Sequence, residues 1–484
     1  MAFSQTATIR GIIKDSGSKD PLVGANVYIT GTSLGTASTD DGRYKISNVS
    51  PGTYVLKASY IGYESKEIEV TISAGDDLEQ NFEMDYATIE GKTIEVTAQA
   101  RGQMDAINKQ LKAKSIKNII SSDRIQELPD ANAAEAVARV PGVSIRREGG
   151  EGNKVVIRGL SPKYNKVTVN GTNLASTDAD DRSTDLSMIS QYMLEGIEVT
   201  KAGTPDQEGD VLGGTVNFKL KKAPSGLHGN LVTQGMYSGL KKTQDDYKLV
   251  FDISNRFLND RLGVLAQLDL ENRNRSSHNL NANYINAPAD LDTINPLTLA
   301  NLGLTDVSRI NDRDNKLFVI DYAIPNGNIS YSGLHSSINK DITTYQNNYA
   351  LQTPDGRRTY DTGELSNSIK VTTETWKYEQ NITPDLKVDL FSSFSRSTNG
   401  DTNKVYNFRE AGAYTESVNN KSVDNIQNFT VNDTNGTWFD RYDYNEYSTK
   451  ETESAYGGNM EFDLKFTDQI SGKLKFGFKM RSKS

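Results

Sequence analysis

The sequence predicts a multidomain, mainly β protein: a small β-sandwich, then an α+β domain, then antiparallel strands of an incomplete transmembrane β-barrel. Three observations lead there. Turn dipeptides punctuate short β-prone runs near the start, capped helices mix with strands in the middle, and from Gly226 onwards apolar and polar residues simply alternate.

Residues 1–86 supply the sandwich. The runs ATIRGII, GANVYIT, GRYKIS, GTYVLKASYIGY, SKEIEVTIS and LEQNFEM are separated by turn signals such as Asp41-Gly42 and Pro51-Gly52. Tyr54, Leu56 and Ala58 alternate with Val55, Lys57 and Ser59, the pattern of a strand with one buried face. Ala2-Phe3-Ser4 before Gln5 reads either as the small-residue end of an export signal or as an ordinary polar start. Residues 87–103 hold one isolated β-prone run, which is either a last sandwich strand or a linker that a partner binds.

Residues 104–225 form the α+β domain. Ser121-Ser122-Asp123 caps one short helix, and Asp130 caps a second through Arg139 that Pro141 stops. Strands are expected at Lys154 to Arg158, Val167 to Asn170, Gly196 to Lys201 and Thr215 to Lys221. Asn170-Gly171 signals a turn, and Gly213-Gly214 a close backbone approach.

Residues 226–484 read as barrel strands. Tyr247, Leu249, Phe251 and Ile253 alternate with charged or small residues, as do Val264, Ala266, Leu268 and Leu270 further on, and Met460 to Phe466 and Leu474 to Met480 near the end. Tight turns at 257–260, 382–385 and 468–472 alternate with long polar connections at 272–367 and 397–454, so one rim has short turns and the other long loops. About seven strands are expected. Plugged transporters use ~22, so a barrel of seven cannot close and the chain reads as truncated at Ser484.

Composition excludes other classes. Among 484 residues there are 54 Lys and Arg against 63 Asp and Glu, a net charge of -9, so no basic field awaits nucleic acid. The absence of cysteine removes disulfides, thiolate metal sites and cysteine nucleophiles. No stretch approaches the ~18 to 20 apolar residues of a membrane helix, which says nothing against a barrel. Gly31-Thr32-Ser33-Leu34-Gly35 matches GxSxG but lies between β runs, and His228, His278 and His335 are too dispersed to serve as its base or as a zinc site. Glu148 and Glu151 lack the rigid placement that a glycosidase pair needs. The chain is not expected to be an enzyme or to carry a cofactor or metal.

Three ordered segments carry a family resemblance: LPDANAAEAVARVPGVSI (residues 128–145), VVIRGLSPKYNKVTVNGT (155–172) and IEVTKAGTPDQEGDVLGGTVNFKLKK (197–222). Together they resemble the plug domain of TonB-dependent receptors. Residues 21–63 resemble the carboxypeptidase-regulatory-like sandwich that precedes the plug in Bacteroidetes receptors, a module without a peptidase site. The plug motifs resemble sugar- and siderophore-type receptors more than the SusC group, whose partner lipoprotein forms a lid.

The resemblance implies plug-gated active transport of a scarce solute, a siderophore or an oligosaccharide, across the outer membrane of a Gram-negative cell. It implies outer-membrane lipid and TonB, with ExbB and ExbD, as partners, and places the sandwich and the linker in the periplasm. Thr93, Ile94, Glu95, Val96, Thr97 and Ala98 are similar to the TonB box, and an extended peptide of this kind can add to a sheet edge. A non-transporting adhesin or signalling receptor on the same scaffold is the alternative.

Within the plug, Arg158, Gly159, Asn170, Gly171, Glu198, Lys201, Gly213 and Gly214 match motifs that hold the plug together, Arg158 being suited to fix a carboxylate bidentately and Glu198 being an acidic partner. Arg146, Arg147, Glu148 and Glu151 on one loop, and Asp178, Asp180, Asp181 and Arg182 on another, are expected to face the solute. With Asp185 the second loop reads as a solvated acidic loop, since Ser183 stands where a calcium loop needs Gly.

Overall fold

The runs near the start fold as two four-stranded sheets. The computed structural model describes residues 6–17, 19, 21–39, 41–85, 106–107, 110, 116–127, 132–178, 181, 183–203, 208–209, 211–286, 297–351, 357–410, 436–465 and 471–484. The first eight strands are β1 (Ala7–Asp15), β2 (Asn26–Ile29), β3 (Gly35–Ala37), β4 (Arg43–Val49), β5 (Gly52–Ser59), β6 (Lys66–Ile72), β7 (Asp77–Glu79) and β8 (Phe82–Met84). One sheet is β4-β1-β7 with β8 beside β1, the other β3-β2-β5-β6. Strand alternation sends Ile9 and Ile13 of β1 and Leu56 and Ala58 of β5 into one core with Val27, Ile29, Ile46 and Phe82, while Val55 stays exposed. The GxSxG string is the turn from β2 into β3, and Gly31 takes φ 82 there.

The middle segment holds β9 (Lys117–Ser121), α1 (Ser122–Gln126), α2 (Ala133–Val137), β10 (Val143–Glu148), β11 (Glu151–Ile157), β12 (Asn165–Val169), β13 (Thr172–Asn173), β14 (Leu194–Thr200) and β15 (Gly214–Leu220). Five strands form one sheet in the order β13-β12-β15-β14-β9, and β10-β11 is a separate hairpin. Ser121 caps α1 as expected. The cap of α2 is Asn132, not Asp130, which lies outside the described residues. The Asn132 Oδ1 accepts from the amides of Ala134 (3.0 Å) and Glu135 (3.2 Å) while its Nδ2 donates to the Gly152 carbonyl (3.2 Å). A carboxylate can accept those helix bonds but cannot make the donation that ties α2 to the hairpin.

The remainder is a single antiparallel wall: β16 (His228–Ser238), β17 (Thr243–Phe257), β18 (Leu262–Asn274), β19 (Ser277–Asn286), β20 (Leu297–Ile324), β21 (Gly327–Ala350), β22 (Arg357–Thr383), β23 (Leu386–Glu410), β24 (Thr437–Lys465) and β25 (Ser471–Lys483). Among the described residues ten strands stand where about seven were expected. Among the described residues, the stretches read as long polar connections are largely strands. Residues 272–367 contain β19, β20 and β21, and the upper halves of β23 and β24 occupy most of 397–454. β18 and β19 both pair with β20, one along residues 310–322 and the other along 297–307. Strands of 24 to 29 residues from β20 to β24 far exceed the ~9 to 11 that cross a membrane. The tight turns at 258–261 and 384–385 are present, joined by one at 325–326 on the same rim.

The wall is patterned opposite to a soluble sandwich. On β17, Asp246, Lys248, Asp252 and Ser254 are buried while Tyr247, Phe251 and Ile253 are exposed. The exposed apolar face continues through Leu268 opposite Phe251, then Phe318, Trp376, Leu390, Met460 and Phe476. Burying charge and exposing grease is stable only where the outer medium is apolar, as it is for a membrane barrel.

Candidate functional site: the seat of the plug

The polar face of the wall is buried because the middle segment sits against it. Two sets of contacts hold it. Near the turn rim Leu265, Leu317, Val319, Leu334, Ile338, Ile369 and Val371 of the wall share one apolar cluster with Leu186, Met188, Ile197 and Phe218. Above this belt the contacts are ionic.

Glu151, at the start of β11, is the hub. Its carboxylate accepts from the Arg275 Nη2 (2.6 Å) and Nε (2.8 Å), from the Asn311 Nδ2 (3.1 Å) and from Arg313. Arg313 also donates to Glu271 (2.5 Å) and to the Ser187 carbonyl (3.0 Å), so one guanidinium joins β18, β20, β11 and the turn after Asp185. Glu151, Arg313 and Glu271 are all buried. Glu151 therefore does not face a solute. Its Gly-rich loop places it under the β10-β11 turn, where the wall supplies two arginines. Asp185 is likewise buried, paired to Lys340 at 3.1 Å, and Lys340 also reaches Glu148 at 3.6 Å.

A second row lies along β22 to β25. The Asn173 Nδ2 donates to Glu453 (2.9 Å), the Ser176 amide to Glu451 (2.9 Å), the Ala175 amide to the Ser395 Oγ (3.0 Å) and the Asn399 Nδ2 to the Thr177 carbonyl (3.0 Å). Lys377 donates to the Asn170 carbonyl, and Glu208 receives Lys166, Lys479 and Arg481.

The motif residues hold the middle segment to itself. Asn170 (φ 49) and Gly171 (φ 82) turn β12 into β13 as the left-handed pair of a two-residue hairpin. Arg158 (φ 53) and Gly159 (φ 75) bend the chain so that the guanidinium meets the carbonyls of Lys201 (2.5 Å) and Gly213 (3.3 Å). Arg158 thus fixes two backbone carbonyls and no carboxylate, while Glu198 accepts from Lys117 (3.3 Å) and the Asn217 Nδ2 (3.2 Å). Lys201 donates to the Pro141 carbonyl. At Gly214 a Cβ would lie 2.7 Å from the Thr200 carbonyl oxygen, so backbone excludes a side chain there, and at Gly213 it would lie 1.9 Å from the Asn165 Oδ1, which would have to move.

The acidic loop is not solvated. Asp178 pairs with Lys154, and Asp181 stands 3.9 Å from the same ammonium. Asp180 and Arg182 lie outside the described residues. Arg147 grips Glu135 through two bonds (2.5 and 2.8 Å), and Arg146 is exposed. Thr93 to Ala98 lie outside the described residues. Arg275, Asn311, Arg313, Lys340 and Glu271 were not legible as site residues. The only trace is a charge or amide at every second position from Arg309 to Asn315, in a stretch whose other face is polar too.

Burial raises the Glu151 carboxyl, but the charges and hydrogen bonds of Arg313 and Arg275 outweigh it and leave it below its usual range. Asp185 is lowered in the same way against its burial by Lys340 and Ser187. A carboxylate with a depressed folded pKa stabilises fully above its unfolded pKa and loses that contribution as pH falls through the folded value. Plug docking, followed as protease protection against denaturant, is expected to be flat from neutral pH to the ordinary carboxylate range and to weaken below about pH 4. In Glu151→Gln the acid slope should shrink. An unchanged slope would remove Glu151 from the linkage.

A folded segment filling the polar face of a wall whose other face suits lipid is the architecture of a plugged membrane barrel. Residues 109–215 match the TonB-dependent Receptor Plug Domain family, and residues 9–96 match the CarboxypepD_reg-like domain. The chain thus carries the plug domain of the TonB-dependent receptors with a CarboxypepD_reg-like domain ahead of it. Receptors of this family are outer-membrane β-barrels that transport solutes. It is 26% identical over 259 residues to the TonB-dependent receptor SusC of Bacteroides thetaiotaomicron, 51% of this chain and 24% of that protein. It is 30% identical over 146 residues to the TonB-dependent receptor P39 of Formosa agariphila, 29% of this chain and 13% of that one. The chain thus spans a quarter or less of the length of these relatives. Half of the chain aligns with SusC, so the plug motifs do not separate it from that group. Among solved structures it resembles a variant of the ferric enterobactin receptor PfeA of Pseudomonas aeruginosa in complex with enterobactin, with a TM-score of 0.38 at 11% identity, over 73% of this chain and 63% of that one.

Proposed function

We propose that this chain belongs to an outer-membrane receptor that takes up a scarce solute, a siderophore or a carbohydrate, with the plug as gate and TonB as the source of work. The observation that carries the reading is the mixed seat of the plug. An apolar belt at the turn rim holds it in place. The contacts above are ion pairs and hydrogen bonds, which water can replace one by one at a small net cost of about 0.5 to 1.5 kcal/mol for an ordinary bond. A plug seated in this way is both retained and removable. Its β10-β11 tip and the loop around Asp181 face the long upper strands, where a solute would arrive. The sandwich and Thr93 to Ala98 lie on the periplasmic side in this reading, consistent with the ion pair between Lys45 of β4 and Asp385 of the turn rim (3.8 Å).

Deleting Thr93 to Ala98 is expected to abolish energy-dependent uptake while leaving solute binding at the cell surface intact. Undiminished uptake by the deletion would refute the role of that segment. Intact binding by an unaltered receptor that never internalises solute would favour the adhesin reading.

A further inference from the structure

The outer face of the wall changes character at one level. Odd-numbered residues of β22 to β24 turn inward: Thr375 meets Thr172, Ser395 meets the Ala175 amide, and Glu451 and Glu453 meet Ser176 and Asn173. Even-numbered ones therefore turn outward. On that side Trp376, Leu390, Phe394, Tyr456 and Met460 are exposed and belong to the apolar band. On β23 the band stops at Phe394. The next outward residue is Arg396, opposite Thr372 on one side and Thr452 on the other, and the one after it is Thr398, opposite Lys370 and Lys450.

The register thus gathers three cations around one hydroxyl. Lys370 and Lys450 flank Thr398 at one strand spacing each, ~4.8 Å, and Arg396 lies two residues below it, ~7 Å along the strand. All three are exposed, and none of them forms an ion pair among the described residues. Carboxylates on the same face are engaged elsewhere: Asp314 pairs with Lys316 (2.9 Å), Asp341 accepts from Ser366 (2.9 Å) and Glu446 from Tyr444 (3.0 Å). Glu374 lies lower, opposite Phe394 at the top of the band, and sets a lower limit to where an anion can rest. Like charges held this close repel one another, and a bound anion would turn that repulsion into attraction.

We propose that Lys370, Arg396 and Lys450 bind the phosphate monoester headgroup of a lipid in the leaflet away from the turn rim. A phosphate monoester carries about -1.5 to -2 charges near neutral pH and presents three acceptor oxygens. A guanidinium meets two of those oxygens at once, the two ammoniums supply the remaining charge, and the Thr398 hydroxyl is a further donor. Position selects a lipid over a free ion. The cations begin at the outward residue directly above the band, so a headgroup seated there sends its acyl chains down the wall past Phe394 and Trp376. The site fixes the level of the wall in its membrane and is independent of solute and of TonB.

The chain has two tryptophans, Trp376 and Trp438, so a Trp438→Phe background leaves Trp376 as the sole reporter beside the band. The test titrates the purified full chain of that background, in dodecyl maltoside micelles, with phosphatidic acid carrying brominated acyl chains and with phosphatidylcholine carrying the same chains. Saturable quenching of Trp376 by phosphatidic acid is expected at a tenfold or more lower mole fraction than by phosphatidylcholine. The triple variant Lys370→Gln, Arg396→Gln, Lys450→Gln should lose that preference, and Arg396→Gln alone, a single exposed substitution, should lose part of it. Lys316→Gln, whose cation is already paired to Asp314, should keep it within about twofold. The preference is a ratio of two lipids on one protein, so a loss of folding does not imitate its selective loss. Equal quenching by both lipids in the parent, an unchanged preference in the triple variant, or displacement of the phosphatidic acid by inorganic phosphate would overturn the proposal.

Discussion

Cells carrying the receptor with Thr172→Cys and Thr375→Cys should take up no solute until a reductant is added. Thr172 belongs to β13 of the plug and Thr375 to β22 of the wall, and their hydroxyl oxygens are 3.3 Å apart. Side chains in such contact bring the two Cβ atoms close to one another, and a disulfide would hold them at ~3.5 to 4.5 Å. The chain has no cysteine of its own, so the engineered pair has no competitor. The covalent bond should clamp the plug at the second row of contacts, whereas the hydroxyl contact it replaces exchanges with water. Uptake is expected to fall to background in the oxidised form, to return with dithiothreitol, and to stay normal in either single variant. Full uptake by a demonstrably cross-linked receptor would mean that the solute passes without separation of plug and wall at this point.

Arg313→Leu should have the largest effect on docking. The guanidinium is shared by Glu151 and Glu271, and its loss leaves two carboxylates buried with fewer partners. Breaking a buried pair from one side costs about 3 to 5 kcal/mol, much of it the penalty on the charge left behind. Glu151 retains Arg275 and Glu271 retains Lys248, so the lower end of that range is expected. Arg313→Leu with Glu151→Leu should recover part of the loss, because the double variant removes the stranded charge as well. Protease protection of the plug against denaturant reads both. A single variant within about 0.5 kcal/mol of the parent would show that Arg313 does not hold the plug.

What could be read beforehand follows a physical line. Asn170-Gly171 and Gly213-Gly214 were legible because a left-handed turn and a sub-van-der-Waals approach each admit few residue types. β17 and β18 were legible because their outer faces are aliphatic and their inner faces charged. The upper parts of β20 to β24 were not: apart from the small apolar cluster of Leu299, Leu302, Tyr349 and Leu351, both faces are largely polar and offer little contrast to alternate. Asn, Asp, Thr and Tyr in such strands look like loop. Arg313 was hidden for a different reason: its partner Glu151 is 162 positions away, and only the register of the wall brings them together. Arg158 shows the reverse error, a side chain correctly singled out but given a carboxylate when its partners are carbonyls, which leave no mark in a sequence.

β9 has one mechanical consequence. It is the first strand of the plug sheet and its edge, five residues long, bonded only to β14 from Gly196 to Thr200. Tension applied to the chain ahead of residue 116 reaches this strand before any other part of the plug sheet. Bonds loaded in turn fail at lower force than the same bonds loaded together. An edge strand with one neighbour therefore acts as a fuse: it can be stripped away while Glu151, Asp185 and Glu208 still anchor the rest of the plug. A tug of limited reach would then remodel one side of the plug and leave the rest in place to guide its return.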